Sequence, residues 1–226
     1  MKCPACGKAD LSSSTHCTRC NSVLGKTANI TSKSLFLNLA IVRRAAVCAV
    51  VIIFAILGFY FSLIFSASRL TVTEQEKVDA AIRLLKDRGF SHEAFLLGEL
   101  AVFRSNDHWL NASVEKESAY AATNFPFEIV TLYPDFFQYP EDDVERAAIL
   151  LHEAKHLEGK DEAEAYEFVW RNRSRLGWTF SAYRFSQNYI EVRRQTAQNV
   201  PSLFVCEVNL FRDCTEPFRP QLAQAF

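Results

Sequence analysis

The sequence contains no Asp or Glu between Asp10 and Glu74, although Lys and Arg occur on both sides of the uncharged run in that stretch. It also contains no internal repeat and no low-complexity run, which excludes a repeat architecture. The formal net charge of the 226-residue chain is −1, which favours neither a nucleic-acid-binding protein nor an acidic tail. The uneven distribution of acidic residues indicates that parts of the chain occupy different environments.

Residues 45–67 lack both charge and proline and read AAVCAVVIIFAILGFYFSLIFSA. As a helix this segment is about 35 Å long, enough to cross a hydrocarbon core of about 30 Å. It begins too far along the chain, and its apolar part is too long, for a cleavable signal peptide. The segment therefore predicts a single transmembrane helix.

The flanking charges predict the orientation of this helix. Arg43 and Arg44 precede the apolar run, whereas only Arg69 follows it before acidic residues appear. The positive-inside rule places the N-terminus in the cytoplasm and residues beyond 68 outside it, across a cell inner membrane. On that oxidising side, Cys206 and Cys214 could close a short disulfide.

Four of the seven cysteines lie within the first 20 residues, as Cys3-x-x-Cys6 and Cys17-x-x-Cys20 separated by ten residues. Two such pairs can supply four thiolates to one tetrahedral zinc. A redox pair or a disulfide knot is the competing interpretation, and reducing conditions disfavour the latter. His16 could replace a ligand, but four cysteines already complete the shell. The segment resembles the short zinc ribbons at the start of many bacterial membrane proteins, and its few cations without aromatic residues favour a protein-contact or spacer role over nucleic-acid binding.

Nucleic acid is not expected as a partner of this ribbon. Its cations are Lys2, Lys8 and Arg19, and no aromatic residue accompanies them. The resulting domain prediction is a zinc ribbon over 1–24, a linker over 25–44, the transmembrane helix over 45–67 and a larger domain over 70–226.

Within the larger domain, capping signals and apolar periodicity predict helices joined to a small strand element. The predicted features are a capping box at Thr73-x-x-Glu76, a helix over 91–103 with Phe95, Leu96 and Leu100 inward, a strand over 127–132, a helix from 140 to Gly159, a helix from Asp161 to about 173, and a helical stretch that includes Phe185, Tyr189 and Val192.

The central motif is His152-Glu153-x-x-His156. Histidines four residues apart lie on one face of a helix, so both can reach one ion, and the glutamate can take a proton from a metal-bound water. The competing interpretation is a surface helix with solvated histidines. Apolar residues 148–151 before the motif favour a helix packed in a core.

A third metal ligand is predicted from the reversal around Gly159. If the flanking helices form an antiparallel hairpin, Glu162 lies opposite His156, and Tyr166 lies opposite His152. Glu164 is about 200° further round the helix and points away. Asp161 is a weaker candidate ligand, and Glu158 is weaker still.

The His-Glu-x-x-His motif followed by Glu162-Ala-Glu-Ala resembles the gluzincin class of zinc metallopeptidases. The resemblance covers about 25 residues and implies an α+β, mainly helical zincin-like domain with a small strand element. It implies zinc on His152, His156 and Glu162, with Glu153 as general base and the 127–132 strand holding the substrate. Two departures are the short five-residue spacing before Glu162 and the charge of Lys155 within the motif.

The sequence therefore predicts a membrane-anchored zinc metallopeptidase that hydrolyses peptide or protein substrates, with catalytic zinc in one domain and structural zinc in the ribbon. Tyr166, or His108 from a loop, is a candidate donor to the oxyanion. One alternative is a non-catalytic zinc-binding membrane sensor or scaffold, a degenerate peptidase. Another is a cytoplasmic interaction protein that works through its ribbon.

Overall fold

The computed structural model describes residues 2–3, 5–9, 16–23, 31–110, 120–207 and 212–216, with side chains in the first helix described from Leu39 onward. Two compact units are present, Met1–Leu57 and Gly58–Phe226. Residues 25–30 of the predicted linker lie outside the described residues, and the rest of that linker, from Thr31, is helical.

The ribbon in the first unit is built from two copies of one turn. Gly7 N–H donates to the Cys3 carbonyl and Asn21 N–H donates to the Cys17 carbonyl, each over 2.9 Å. Both Gly7 and Asn21 have positive φ, a conformation that Gly and Asn tolerate best. Single antiparallel bridges join Lys2 to Ala9 and His16 to Val23 on either side of these turns.

Helix α1 covers Thr31–Ser66. Its part Leu39–Ser66 has 28 residues, includes an 18-residue window with a mean hydropathy of 2.8, and is long and apolar enough to cross a membrane. The apolar helix thus begins before the predicted residue 45, because the two arginines at 43 and 44 do not interrupt a helix that is otherwise apolar.

The second unit is mainly helical with one three-stranded sheet. Its helices are α2 Val72–Asp87, α3 Ser91–Phe95, α4 Pro134–Gln138, α5 Asp143–Leu157, α6 Glu162–Leu176, α7 Phe180–Tyr183 and α8 Gln187–Asn199. A π-helical turn, Leu96–Leu100, follows α3, and a 3-10 turn, Pro201–Phe204, follows α8. The strands are β1 Val102–Arg104, β2 Ala121–Asn124 and β3 Ile129–Leu132.

Strand β3 lies at the centre of the sheet, whose order is β1-β3-β2. It pairs in parallel with β1 and antiparallel with β2, and all four of its residues are buried. Burial on both faces explains its unbroken apolar and β-branched sequence. The predicted strand began too early, since the hairpin between β2 and β3 occupies residues 125–128.

The core forms where α5 packs against α2 and α6. Helix α5 is buried along almost its whole length, with Asp142 as N-cap. Helix α2 is capped by a box between Thr71 and Glu74, not by the predicted pair two residues later. The two Thr-x-x-Glu pairs have the same spacing, so either could form a capping box. The pair Thr71 and Glu74 begins the helix that packs Val78 and Leu85 into the core.

Three further expectations about the second unit are wrong. The helix over 91–103 stops at Leu100, because Val102 and Phe103 enter the sheet as β1. Phe95 and Leu100 are exposed, whereas Leu96 packs against the core as expected and Leu97 is buried in it. Phe185 lies in the turn between α7 and α8 and not in a helix, whereas Tyr189 and Val192 lie on α8 as expected.

The C-terminal segment is tied to α6 by a buried ion pair. The Arg173 guanidinium lies 2.8 Å from the Asp213 carboxylate, which also accepts a hydrogen bond from Trp170 Nε1. Cys206 and Cys214 form a disulfide in the same segment. These contacts hold residues 212–216 against the core.

Candidate metal centre

His152 and His156 lie one turn apart on α5 with their ring centroids 4.7 Å apart. Their Nε2 atoms approach to 3.0 Å, so both rings turn towards one point. The Nδ1 atom of His156 lies 2.9 Å from the Lys160 carbonyl. A carbonyl can only accept, so Nδ1 carries the proton and the Nε2 lone pair is available to a metal.

The chain reverses after α5 through a Schellman motif. Lys160 N–H donates to the Lys155 carbonyl over 3.0 Å, and Gly159 N–H donates to the His156 carbonyl over 2.9 Å. Gly159 has φ +76°, which a residue with a Cβ adopts only with strain. Asp161 then caps α6, so only a short turn separates the two helices.

This reversal brings Glu162 to the two histidines. One carboxylate oxygen lies 3.2 Å from His152 Nε2, and the other lies 3.5 Å from His156 Nε2. A tetrahedral zinc with bonds of about 2.1 Å separates its ligand atoms by about 3.4 Å. The two Nε2 atoms are 3.0 Å apart, and each lies 3.2 or 3.5 Å from one of the two Glu162 oxygens, so these residues could hold one zinc ion.

The neighbouring acidic residues are engaged elsewhere. Glu164 forms the capping box with Asp161 and an ion pair with Lys160 at 2.9 Å. Glu158 contacts Lys155 at 2.8 Å and His92 at 3.5 Å. Neither Asp161 nor Glu158 is among the clustered donors, which are His152, His156 and Glu162.

Lys155, whose charge departs from the family motif, faces away from the histidines. Its Nζ lies 2.6 Å from the Glu93 carboxylate and 3.8 Å from the centre of the Phe168 ring. The side chain is buried behind α5, where it joins α5 to α3 and α6. Its charge is therefore neutralised within the core.

Glu153 is 4% exposed and reaches the cleft from α5. Its Oε2 accepts a 2.7 Å hydrogen bond from the Thr123 hydroxyl on β2. This bond connects the candidate general base to the edge strand of the sheet. The family resemblance implied that the 127–132 strand holds the substrate, but both edges of β3 are already paired. Strand β2 is the one that borders the cleft.

Tyr166 packs its ring against His152, with the ring centroids 4.4 Å apart. Its hydroxyl donates to the side-chain carbonyl of Gln195 on α8. Burial raises the pKa of Tyr166, and the charges of Glu162 and Glu153 raise it further. Its role as an oxyanion donor stays a prediction and requires the hydroxyl to leave Gln195.

His108 is fully buried and does not border the cleft. Its Nε2 lies 2.7 Å from Nδ2 of Asn124, the last residue of β2. Because an amide nitrogen donates, Nε2 is the acceptor. His108 is therefore placed to support β2, not to contact a substrate.

The cleft around these residues has a volume of about 970 Å³, within the usual range for ligand sites. It lies between β2, α5, α6 and α8. Besides the predicted residues, its lining includes Tyr120, Thr123, Asn124, Phe125, Glu191, Arg194 and Gln195. These residues lie far from the motif in sequence and carry no recognisable pattern, so sequence reasoning missed them.

The charges of the cluster favour a cation between Glu162 and the histidines. Hydrogen bonds from His152 and His156 hold the pKa of Glu162 well below its ordinary value, although burial opposes them. Burial acts to lower the pKa of His156, but Glu162, the Lys160 carbonyl and Glu153 outweigh it and raise this pKa to about 9. Negative charge at this point thus attracts a cation, which is a proton when no metal is bound.

The second candidate metal centre is the ribbon, where Cys3, Cys6, Cys17 and Cys20 lie close together and could bind a metal. The Sγ atoms of Cys3 and Cys20 are 3.6 Å apart, and those of Cys6 and Cys17 are 3.5 Å apart. These distances are close to the separation of about 3.8 Å around a tetrahedral zinc with Zn–S bonds of about 2.3 Å.

Ser22 contacts two of the four ribbon cysteines. Its Oγ lies 3.1 Å from the Sγ of Cys3 and 3.0 Å from that of Cys20. The bond with Ser22 is the main cause that lowers the pKa of Cys3 to about 6, which favours the thiolate that metals bind. His16 is not part of the cluster.

Comparisons of the chain with protein-family models, with curated proteins and with solved structures found no match. Function has to be inferred from the residues themselves and from their geometry.

Proposed function

We propose that the protein is a membrane-anchored zinc metallopeptidase. The observation that carries this proposal is the position of Glu162, whose carboxylate lies within 3.5 Å of both imidazoles in a cleft that also contains Glu153. His152, His156 and Glu162 would hold the metal and leave one coordination position open, as in catalytic zinc sites. Bound zinc supplies a water of lowered pKa and polarises the substrate carbonyl.

The remaining chemistry belongs to the side chains of this protein. Glu153 takes a proton from the attacking water and passes it to the leaving amine. The Thr123 hydroxyl holds the Glu153 carboxylate in place. Strand β2 borders the cleft at the edge of the described sheet, so an extended peptide can add to it by backbone hydrogen bonds.

The apolar helix Leu39–Ser66 anchors this domain in a membrane, with the ribbon in the cytoplasm and the cleft on the opposite side. The Cys206–Cys214 disulfide supports this orientation, because disulfides persist in oxidising compartments. The ribbon holds a second, structural zinc.

Glu153→Gln in the full-length, detergent-solubilised protein tests the proposal. We expect zinc content to stay at the wild-type value and cleavage of an unfolded protein to fall by about a thousandfold or more, since the base is lost. Glu167→Gln, an exposed position on α6 paired with Arg171, is the matched control and should retain activity. Zinc binding in a wild-type protein that cleaves no peptide would favour the alternative of a non-catalytic sensor.

A further inference from the structure

The end of the apolar helix is built into the domain that carries the cleft. Phe59 contacts Trp109 and Phe127, with ring centroids 5.7 and 5.5 Å away. Trp109 Nε1 donates a 2.9 Å hydrogen bond to Ser62 Oγ, and Leu63 is fully buried. The domain is therefore fixed directly on the last turns of the helix.

The length of the helix sets the depth of these contacts. The 28 residues of Leu39–Ser66 measure about 42 Å, whereas the hydrocarbon core is about 30 Å thick and the whole bilayer about 40–45 Å. Phe59 lies about 10 Å along the axis before Ser66. If the helix is centred in the bilayer, it extends about 6 Å beyond the hydrocarbon core at each end. Phe59 then lies about 4 Å inside the core, and Ser62, which Trp109 contacts, lies at the boundary between acyl chains and headgroups.

The turn between β2 and β3, residues 125–128, connects the aromatic contacts of the helix to the mouth of the cleft. Phe127 contacts the helix, and Phe125, two residues earlier on the same turn, borders the cleft beside Gly159. Phe125 is 57% exposed, and Trp109 and Leu110, on the segment before β2, are 50% and 40% exposed. Exposed aromatic residues close to the end of an apolar helix match the aromatic belt of membrane proteins.

We propose that Trp109, Leu110 and Phe125 form a rim that lies in the membrane interface, so that the cleft accepts polypeptide segments where they emerge from the same bilayer. The substrate class is then the juxtamembrane stretch of a membrane-anchored polypeptide. This inference rests on the proposed peptidase function for cleavage, whereas the position of the rim can be tested without it.

Trp109 provides the direct test of the rim. Full-length protein is reconstituted in vesicles whose lipids carry bromine near the headgroup or deep in the acyl chain. Trp170 and Trp178 are fully buried, so Trp109→Phe supplies the background fluorescence. We expect the Trp109 signal to be quenched strongly by the shallow bromine and weakly by the deep one. If only a water-soluble quencher reduces the Trp109 fluorescence, the proposal is overturned. The rim would then be a surface that contacts a soluble protein.

Substrate class is tested with one peptide sequence attached to lipid through spacers of different length. A cleft at the interface reaches a site about 5 residues, or about 17 Å, from the bilayer, whereas a distant cleft requires a much longer spacer. We expect the short-spacer peptide to be cleaved about tenfold faster than the same peptide free in solution. Cleavage only with spacers of about 30 residues would overturn the proposal.

Phe125→Ser should reduce cleavage of the short-spacer peptide more than cleavage of the free peptide. Phe185→Ser changes a phenylalanine that is even more exposed and lies outside the rim, and it should reduce neither. An equal loss for both peptides in Phe125→Ser would contradict the role of the rim. If no peptide of any kind is cleaved, the peptidase proposal fails, and the quenching result alone decides whether the rim lies in the bilayer.

Discussion

The Thr123 hydroxyl on β2 donates a 2.7 Å hydrogen bond to the carboxylate of Glu153 on α5. The two residues are 30 positions apart. In the proposed peptidase, the bond connects β2, the strand to which a substrate would add, to Glu153, the general base. Hydrogen bonds to charged groups are worth about 1.5–3 kcal/mol. We expect Thr123→Val to lower kcat about tenfold with zinc content unchanged, and Thr123→Ser to restore most of the rate, as measured by steady-state kinetics. An unchanged rate in Thr123→Val would show that the bond does not position Glu153.

Glu162→Ala should weaken zinc binding at the cleft. Removal of residues that only support a metal ligand already costs 10- to 100-fold in affinity, so we expect loss of this ligand to cost about 100-fold or more. Glu164→Ala, two residues further on α6, is the matched control because its carboxylate pairs with Lys160. Competition with a chromophoric chelator measures both affinities. Equal affinities for the two variants would exclude Glu162 as a ligand.

The ribbon and the cleft should bind zinc independently. We expect two zinc ions per wild-type chain and one in Cys6→Ser/Cys20→Ser, by elemental analysis of purified protein. Peptide cleavage should persist in that variant. Cys48→Ser, in the apolar helix, changes a cysteine outside the cluster and should leave two ions bound. Loss of both ions in the ribbon variant would contradict independence.

Lys155→Met should destabilise the protein by about 3–5 kcal/mol, because it leaves the Glu93 carboxylate buried without its partner. Glu93→Leu/Lys155→Met removes both charges and should recover most of the loss. Thermal unfolding in detergent at neutral pH measures both effects. A double variant as unstable as the single one would show that packing, not charge, accounts for the loss.

The same pair predicts a pH dependence. Burial acts to raise the pKa of Glu93, but the hydrogen bond and charge of Lys155 outweigh it and lower the pKa. Because the folded-state pKa lies below the unfolded one, the ionised pair stabilises the fold above the unfolded pKa of about 4.3. The stabilisation is lost as the pH falls through the lower folded pKa. The difference in unfolding temperature between wild type and Lys155→Met should therefore shrink below about pH 4.

The Cys206–Cys214 disulfide predicts the side of the membrane on which the cleft lies. We expect both cysteines to resist a membrane-impermeant maleimide on intact cells and to react after mild reduction. Variants that lack one of the two should expose a reactive thiol without reduction. Reaction of both wild-type cysteines in untreated cells would show that the disulfide does not form. A lack of labelling even after reduction would place them on the cytoplasmic side.

The sequence alone predicted the parts of this protein whose signals are local. Cysteine spacing indicated the ribbon cluster, and the uncharged run indicated the apolar helix. The four-residue period and Gly159 together predicted that Glu162 would lie opposite His156. Each of these features depends on covalent spacing and helical geometry within about 20 residues.

Only the tertiary structure decided which elements meet across the cleft. No local pattern marks β1 and β2, because three- or four-residue strands acquire their identity from pairing with β3. The same holds for the bond between Thr123 and Glu153, for Gln195 as the partner of Tyr166, and for Lys155 turning towards Glu93. These contacts join residues 29 to 62 positions apart, where packing of whole elements, not spacing along the chain, fixes which side chains touch.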